Sequence, residues 1–131
     1  MIINENTYDL FLNNTSHNHH KIIIQKGLSI DILPTLLVNN YHFIYIDGDH
    51  SEKSVWYDAI HSFRLLKING YIIFDDYIWG DGEKSPHVAI DKFLDVYKIY
   101  IEVISIFSNQ VVIRKIADFQ DYELQLDATI N

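Results

Sequence analysis

Residues 41–50 read YHFIYIDGDH and residues 69–77 read NGYIIFDDY, and these two stretches decide the predicted fold. Each contains an apolar run rich in Ile, Tyr and Phe, Phe43–Ile46 in the first and Tyr71–Phe74 in the second. Runs of this length and composition are typical of strands that are buried on both faces of a parallel sheet. Each run then stops abruptly at acidic residues.

The acidic residues follow the carboxyl ends of both predicted strands. Asp47, Asp49 and His50 come after the first strand, and Asp75 and Asp76 come after the second. In open α/β sheets, ligands bind in the crevice just beyond the carboxyl ends of the strands. We therefore expect these five side chains to meet in one crevice, which we interpret as the active site.

The chain as a whole has the composition of an ordinary globular domain. It has 131 residues, of which 48% are hydrophobic and 21% are charged, so we expect one domain with a substantial core. A net charge of −8 argues against a nucleic-acid partner, because phosphate binding needs clustered Lys and Arg. The chain has no cysteine and no apolar run of membrane-spanning length, so we expect a cytoplasmic protein without a membrane partner.

Alternating strands and helices are predicted around the two stretches. A β-branched strand at Lys21–Lys26 precedes a helix with Ser29 as its N-cap, and these form a βαβ unit with the strand at Phe43–Ile46. Ser51 caps the next helix, which we expect to end near Lys67 and Gly70.

The last part of the chain predicts a helix and a hairpin. Ser85-Pro86 begins the helix, and Ser108-Asn109 joins two antiparallel strands at Tyr100–Phe107 and Gln110–Lys115. Within the single domain we expect an N-terminal loop or short helix, an α/β core and an acidic tail, at residues 1–20, 21–115 and 116–131.

The chemistry of the crevice follows from its strand-end carboxylates, which repel one another unless a cation or a proton offsets their charge. Because the nearby donors are oxygens and not thiols, a hard divalent ion is the expected guest, Mg²⁺ first and Mn²⁺ or Ca²⁺ next. We therefore take Asp47, Asp75 and Asp76 as candidate metal ligands. His50 is a candidate base for a hydroxyl proton, and Asp49 is the competing one.

Each acidic residue also has an ordinary structural explanation. Asp47-Gly48 is a common turn sequence, Asp49 could cap the helix that follows Ser51, and Asp75-Asp76 could be solvated turn residues. Two acidic clusters at the carboxyl ends of consecutive strands are much less expected by chance, so we favour the functional interpretation.

The same residues carry a resemblance to a known family. The YIDGDH of residues 45–50, followed by the LLKINGYIIFDDYIW of residues 65–79, resembles the class I S-adenosylmethionine-dependent methyltransferases. It is most similar to the metal-dependent O-methyltransferases that act on sugar hydroxyls of macrolides and aminocoumarins. Pro86-x-x-Ala89-Ile90-Asp91-x-Phe93 and Gln110–Ile113 also match, so the resemblance covers roughly residues 21–115.

The resemblance implies a truncated Rossmann-like methyltransferase sheet in an α/β fold, mostly parallel, with a C-terminal antiparallel hairpin and helices on both faces. It implies that Asp47, Asp75 and Asp76 bind magnesium and that His50 or Asp49 is the base. The implied reaction transfers the methyl group of S-adenosylmethionine to a hydroxyl group of a small, sugar-like acceptor, with the metal lowering the pKa of that hydroxyl.

The family's cofactor platform is only partly represented. The Gly-rich loop after the first strand and the acid that ends the second strand are missing, because Lys21–Lys26 corresponds to the family's third strand. Gly27 and Ser29 match the position that lines the adenine, so they are the candidate cofactor-binding residues. The chain thus resembles about the carboxyl-terminal two-thirds of a methyltransferase.

This departure has a consequence for the sheet, whose order in the family is 3-2-1-4-5-7-6. Without the first two strands, Lys21–Lys26 must pair beside Phe43–Ile46, or the exposed edge must pair with another chain. We expect contraction to 3-4-5-7-6, with a homodimer through the exposed sheet edge as the alternative.

Two other functions compete with the enzyme. The first is a non-catalytic methyltransferase remnant that binds a metal, a ligand or a partner chain. The second is a phospho-accepting receiver domain, which suits the length but needs the acidic pair on the first strand, the reverse of the order here. We rank the receiver domain lowest.

Overall fold

The computed structural model describes residues 5–80 and 85–119 of the chain. The helices in this part are α1 (Glu5–Asn14), α2 (Ser29–Ile32), α3 (Glu52–Leu65) and α4 (Pro86–Val96). The strands are β1 (Tyr41–Ile46), β2 (Leu66–Phe74), β3 (Ile101–Phe107) and β4 (Gln110–Lys115). Two short 3₁₀ helices lie at Ser16–Lys21 and Leu33–Thr35.

The described strands form one four-stranded sheet in the order β1-β2-β4-β3. β1 and β2 are parallel neighbours, and Ile44 lies opposite Ile72 in their register. β4 runs antiparallel to both β2 and β3, so β1, β2 and β3 share one direction and only β4 is reversed. The predicted mixed sheet with a C-terminal antiparallel hairpin is therefore confirmed.

Both long helices begin where the sequence predicts. Ser51 is the N-cap of α3, and its Oγ accepts a hydrogen bond from the backbone N–H of Ser54 at 3.3 Å. Ser85 is the N-cap of α4, and Pro86 occupies the first turn, where a missing N–H costs no helical hydrogen bond.

The predicted end of α3 is wrong. The helix ends at Leu65, so Lys67 and Gly70 lie inside β2. The ammonium group of the buried Lys115 explains the early end, because its Nζ donates to the carbonyl oxygen of Phe63 at 3.0 Å. A helix carbonyl that is satisfied in this way needs neither a further turn nor a glycine cap.

The helix predicted after Ser29 is shorter than expected. α2 gives way to the 3₁₀ helix at Leu33, and Leu28 occupies the N-cap position instead of Ser29. Pro34 cannot donate to the carbonyl oxygen of Ile30, four residues earlier, so the α-helix cannot continue through it. The hydroxyl of Tyr57 donates to that carbonyl oxygen instead, at 3.0 Å.

The strand predicted at Lys21–Lys26 does not form. Lys21 ends a 3₁₀ helix, and residues 22–26 have no regular secondary structure. A β-branched run becomes a strand only where a neighbouring strand pairs with it. This run has no such neighbour among the described strands, and Ile23 is 89% exposed. The contraction to 3-4-5-7-6 is therefore wrong, and β1 is an edge strand of the described sheet. The homodimer through this edge stays a prediction.

The hydrophobic core lies between the sheet and the pair of helices α3 and α4. From the helices it contains Val55, Ala59, Phe63, Ala89, Ile90 and Phe93, and from the sheet Ile46, Ile72, Phe74, Val111 and Ile113. Both long helices therefore share one face of the sheet. This arrangement differs from the expected helix layers on both faces, and it leaves Phe43, Tyr45 and Tyr71 partly exposed on the second face.

The three-part division of the chain stays a prediction. α1 lies within the segment that was expected to be a loop or a short helix. Of the expected acidic tail, residues 120–131 lie outside the described residues. In the described part of the chain, no helix combines the length and the apolar composition that crossing a bilayer requires.

Candidate active site

Side chains from two neighbouring strand ends meet at the carboxyl edge of β1 and β2. Asp47 follows β1, Asp76 lies two residues beyond β2, and His50 lies between β1 and α3. These three residues can each offer one ligand atom such that all three atoms lie within 4.8 Å of one another. The Nε2 atom of His50 is 2.6 Å from Oδ2 of Asp76, and Nε2–H is the donor because an ionised carboxylate can only accept.

Asp75 lies beside this cluster, but other groups hold its carboxylate. Its Oδ2 accepts a hydrogen bond from the hydroxyl of Tyr45. Its Oδ1 accepts from Nε2 of Gln110 at 3.2 Å and from the backbone N–H of Asp76 at 2.9 Å. These bonds, the one from Tyr45 foremost, hold the pKa of Asp75 below its ordinary value. The structure therefore places Asp75 next to the other predicted ligands, with both of its carboxylate oxygens hydrogen-bonded.

Asp49 faces the start of α3. The Oγ of Ser51 donates to its Oδ2 at 2.5 Å. This bond, followed by one from Ser54, lowers the pKa of the Asp49 carboxyl. Because Ser51 holds the Asp49 carboxylate at the start of α3 while His50 lies with Asp47 and Asp76, the geometry favours His50 over Asp49 for proton removal.

Asp47 experiences the excess negative charge of the site. Partial desolvation, and then the charges of Asp75 and Asp76, raise the pKa of its carboxyl. A bound cation would reverse this effect, because an adjacent positive charge favours the ionised form. The cavity between these acids and His50 has a volume of about 10 Å³, which is room for about one water-sized guest.

The donor set fits a divalent ion. The carboxylates of Asp47 and Asp76 are the oxygen donors that Mg²⁺, Mn²⁺ and Ca²⁺ prefer. The imidazole of His50 would move the preference toward transition-metal ions if it became a ligand. The raised pKa of Asp47 and the size of the cavity agree with a single small cation at this point.

The loop after β2 folds back over His50. The indole of Trp79 stacks on the imidazole, with ring centroids 4.4 Å apart and planes 25° apart. The backbone N–H of Trp79 donates to the carbonyl oxygen of Asp76 at 2.9 Å. Asp76 itself has φ +57°, a left-handed conformation that Asp tolerates better than most residues. This tight turn places both the Asp76 carboxylate and the Trp79 ring against His50.

Two clefts adjoin the acidic cluster, and Ser29 lines both of them. One, of about 310 Å³, also contacts Ile44, Asp47 and Asp58. The other, of about 380 Å³, combines apolar and aromatic groups such as Leu28 and Tyr57 with polar ones such as Lys53. These volumes lie at the lower end of the range of about 300–1,000 Å³ that is typical of small-molecule sites.

Asp58 is a functional candidate that the sequence interpretation missed. It is only 7% exposed, and its Oδ1 has no hydrogen-bond partner among the described residues. Burial raises the pKa of its carboxyl, whereas a hydrogen bond from Ser29 lowers it. The helical spacing from Val55 to Asp58 could have indicated a carboxylate on the buried side of α3. An unsatisfied buried acceptor beside two clefts fits the recognition of a ligand that donates hydrogen bonds.

Gly27 and Ser29, the predicted cofactor residues, have different surroundings. Ser29 lines both clefts. Gly27 packs against α2, where an added Cβ would lie 3.0 Å from Cδ1 of Ile32. Gly48 is a second close approach, because a Cβ there would lie 3.1 Å from Oδ2 of Asp58. The space for a cofactor is therefore beside Ser29 and Asp58.

Comparison with known proteins gives a family and a fold. A family model described as "Methyltransferase domain" matches residues 4–77, more than half of the chain. A comparison with curated proteins found no match.

Two solved structures resemble the chain. The O-methyltransferase NovP has 22% sequence identity and a TM-score of 0.68, over 88% of this chain and 46% of NovP. A protein from Corynebacterium glutamicum has 12% identity and a TM-score of 0.61, over 87% of this chain and 56% of that protein. The chain therefore spans about half the length of these two proteins.

The structural likenesses lie below 25% identity, so they show the fold alone. The family match rests on the sequence itself and includes Ser29, the whole acidic cluster and α3. The chain belongs to the methyltransferase-domain family, and its fold matches about half of a Rossmann-like methyltransferase.

Proposed function

We propose that this domain serves in the metal-assisted transfer of a methyl group from S-adenosylmethionine to a hydroxyl group of a small, sugar-like acceptor. The observation that carries the proposal is the meeting of Asp47, His50 and Asp76 at adjacent strand ends, in a chain of the methyltransferase family. The acceptor, the absence of nucleic-acid and membrane partners, and a cytoplasmic location stay predictions.

In the proposed site, Asp47 and Asp76 hold the divalent ion, and Asp75 is the third candidate ligand. When it is bound, Mg²⁺ or another hard divalent ion lowers the pKa of a hydroxyl group and orients it. The Asp76 carboxylate accepts a hydrogen bond from Nε2–H of His50, so Nδ1 carries the lone pair and is the atom that takes the hydroxyl proton. Asp76 then stabilises the resulting imidazolium.

S-adenosylmethionine is proposed to occupy the clefts lined by Ser29. Leu28 and Tyr57 offer apolar contact there, and Asp58 offers a buried acceptor for the amino or hydroxyl groups of an adenosine. The stack of Trp79 on His50 shields one face of the imidazole from water. These contacts support binding and orientation by residues of this chain.

A second function is favoured by a different observation. The second face of the sheet carries partly exposed aromatic side chains. This feature fits a non-catalytic methyltransferase remnant that binds a metal, a ligand or a partner chain.

Isothermal titration calorimetry with S-adenosylmethionine, with and without MgCl₂ or MnCl₂, tests the proposal. Micromolar cofactor binding that the metal strengthens supports the enzyme, and binding of the metal alone supports the remnant. Asp47→Asn should weaken metal binding by at least about tenfold, because it removes a charged ligand. The matched control is Asp95→Asn, since the side chain of Asp95 is 80% exposed on α4. Equal metal affinity in both variants would contradict the proposed site.

A further inference from the structure

The hairpin between β3 and β4 reaches the acidic cluster from the far side of β2. β2 pairs with β4, and Phe74 lies opposite Val111 in the antiparallel register. One step beyond this pair, Gln110 lies beside Asp75, and two steps beyond it Asn109 lies beside Asp76. The two-residue turn Ser108-Asn109 therefore ends beside the two acids that follow β2.

Gln110 binds the first of these acids. Its Nε2 donates to Oδ1 of Asp75 at 3.2 Å and to the hydroxyl oxygen of Tyr45 at 3.1 Å. The Tyr45 hydroxyl in turn donates to Oδ2 of Asp75. Both carboxylate oxygens of Asp75 are therefore held by one amide and one hydroxyl that come from β4 and β1.

Asn109 binds the second acid and the turn that presents it. Its Nδ2 donates to Oδ1 of Asp76 at 3.3 Å, and its Oδ1 accepts from the backbone N–H of Ile78 at 2.6 Å. Its backbone carbonyl oxygen accepts from the N–H of Tyr77 at 2.9 Å. These bonds stabilise the turn in which Asp76 has φ +57°.

The orientation of the Asn109 amide follows from its partners. The N–H of Ile78 can only donate, so the atom that faces it must be the amide oxygen, and the amide nitrogen must then face Asp76. A neutral amide donates to the carboxylate without adding a charge to the site. Oδ1 of Asp76 is thereby held by Asn109, while its Oδ2 is free to bind His50.

We propose that Asn109 and Gln110 are positioning residues, which aim the carboxylates of Asp76 and Asp75 and, through Asp76, the imidazole of His50. The proposal deepens the function proposed above and rests on it in taking these acids as site residues. Groups that orient the ligands of a metal site commonly change metal affinity or activity by about 10–100-fold when they are removed.

The first test uses the metal-free protein. Asn109→Leu removes the amide but keeps the branched shape of the side chain, and the ¹⁵N and ¹H signals of the His50 imidazole should move because its bond to Asp76 loosens. Gln110→Met should leave the His50 signals in place and move the ¹³C carboxyl signal of Asp75. Asn109→Leu should thus move only the His50 signals and Gln110→Met only the Asp75 signal, whereas general loosening of the fold would move both sets of signals.

The second test measures Mn²⁺ affinity by electron paramagnetic resonance, without cofactor or acceptor. Asn109→Leu should weaken binding by about tenfold or more. Asn109→Asp keeps an oxygen for the N–H of Ile78, so the turn can form, but it replaces the donor to Asp76 with a repelling oxygen. The imidazole signals of His50 should therefore move in this variant also.

Ser108→Gly is the matched control, because it changes the same turn at a residue with φ +57°, which glycine adopts readily. It should leave the His50 signals and the Mn²⁺ affinity unchanged. If the wild-type protein binds no Mn²⁺ but Asn109→Leu still moves the His50 signals, the proposed function fails and the positioning role stands. If both His50 and Asp75 signals are unmoved by the two amide replacements, the positioning role is overturned.

Discussion

The two faces of the sheet come from the same strands and have opposite surroundings. Ile72, Phe74, Val111 and Ile113 point toward α3 and α4 and are 0% exposed. On the other face, Phe43 is 56%, Tyr45 is 46% and Tyr71 is 39% exposed. Alternate residues of one strand therefore differ in burial although both are apolar. The comparison shows that an apolar run identifies a strand but does not say how many of its faces are covered.

The open face also differs from an ordinary solvent-facing sheet. Antiparallel sheets with one wet face usually alternate apolar and polar residues, whereas this face carries large aromatic side chains. Contiguous exposed apolar groups commonly mark an interaction surface. The covered face should thus govern the stability of the fold, and the open face should govern its association.

The largest expected difference between the two faces is in stability, and it can be measured by truncating one aromatic ring on each face. Phe74→Ala should lower the free energy of unfolding by about 3–5 kcal/mol, because it opens a cavity between the sheet and α4. Phe43→Ala on the open face should cost less than about 1 kcal/mol. Urea denaturation measures both, and equal losses would show that the open face is covered in solution.

The buried Lys115 gives the next largest effect. Lys115→Met should cost about 1–3 kcal/mol, because the carbonyl oxygens of Phe63 and Leu66 lose their donor. Burial lowers the pKa of the amine. At this group the unfolded chain therefore binds more protons than the folded one just below pH 10.5, and the contribution of Lys115 to stability should rise with pH in that window.

The methionine variant should lack this rise, which urea denaturation at several pH values can measure. Lys98→Met is the matched control, because the Lys98 side chain is 72% exposed, and its effect should stay within about 0.5 kcal/mol. The same slope with pH in the wild-type protein and in Lys115→Met would contradict the assignment.

A charge on the open face tests association with little effect on the fold itself. We expect the wild-type chain to form a homodimer through this face and the edge of β1. Tyr71→Lys should weaken the dimer by about tenfold or more, because it places a charge in an apolar contact. Sedimentation velocity measures the shift. Lys98→Met serves again as the control, and a wild-type monomer at high concentration would refute the dimer.

The smallest effect concerns Tyr45, an open-face residue that reaches the site. Tyr45 donates to Asp75 and lowers its pKa, while the same bond raises the pKa of Tyr45 to about 12. The stabilisation is present above the unfolded pKa of Asp75 and is lost as the pH falls through the folded pKa. In Tyr45→Phe, that stabilisation should be smaller, and its loss should be complete at a higher pH than in the wild-type protein.

A ¹³C NMR titration of the carboxyl groups checks this expectation on the metal-free protein. The pKa of Asp75 should rise toward its ordinary value in Tyr45→Phe. Tyr71→Phe, on the same face, is the matched control and should leave the titration of Asp75 unchanged. An unchanged Asp75 titration in Tyr45→Phe would show that the Tyr45 hydroxyl does not lower the pKa of Asp75.

Local chemistry made much of this fold predictable. Ser51 and Ser85-Pro86 mark helix starts through hydrogen bonds and dihedral preferences that act within a few residues. The hairpin at Ser108-Asn109 is local in the same way. The meeting of Asp47 and Asp76 was also predictable, because consecutive strands joined by a helix usually pair in parallel.

The features that sequence interpretation missed depend on partners far along the chain. The run at Lys21–Lys26 has strand composition, but no strand among residues 5–80 and 85–119 pairs with it. α3 ends at Leu65 because of a lysine about fifty residues later in the chain. Asn109 and Gln110 reach the acids only because β4 pairs with β2. The hairpin sequence by itself does not indicate which strand β4 will pair with.

The left-handed backbone at Asp76 restricts how the site can be altered. Asn adopts this conformation as readily as Asp, so Asp76→Asn isolates the role of the charge. Ala does not adopt it readily, and Asp76→Ala would redirect the main chain that carries Trp79 as well as deleting a carboxylate. Lost activity in the alanine variant would therefore combine the loss of the carboxylate with a change in the main chain, whereas the asparagine variant would report the loss of the charge alone.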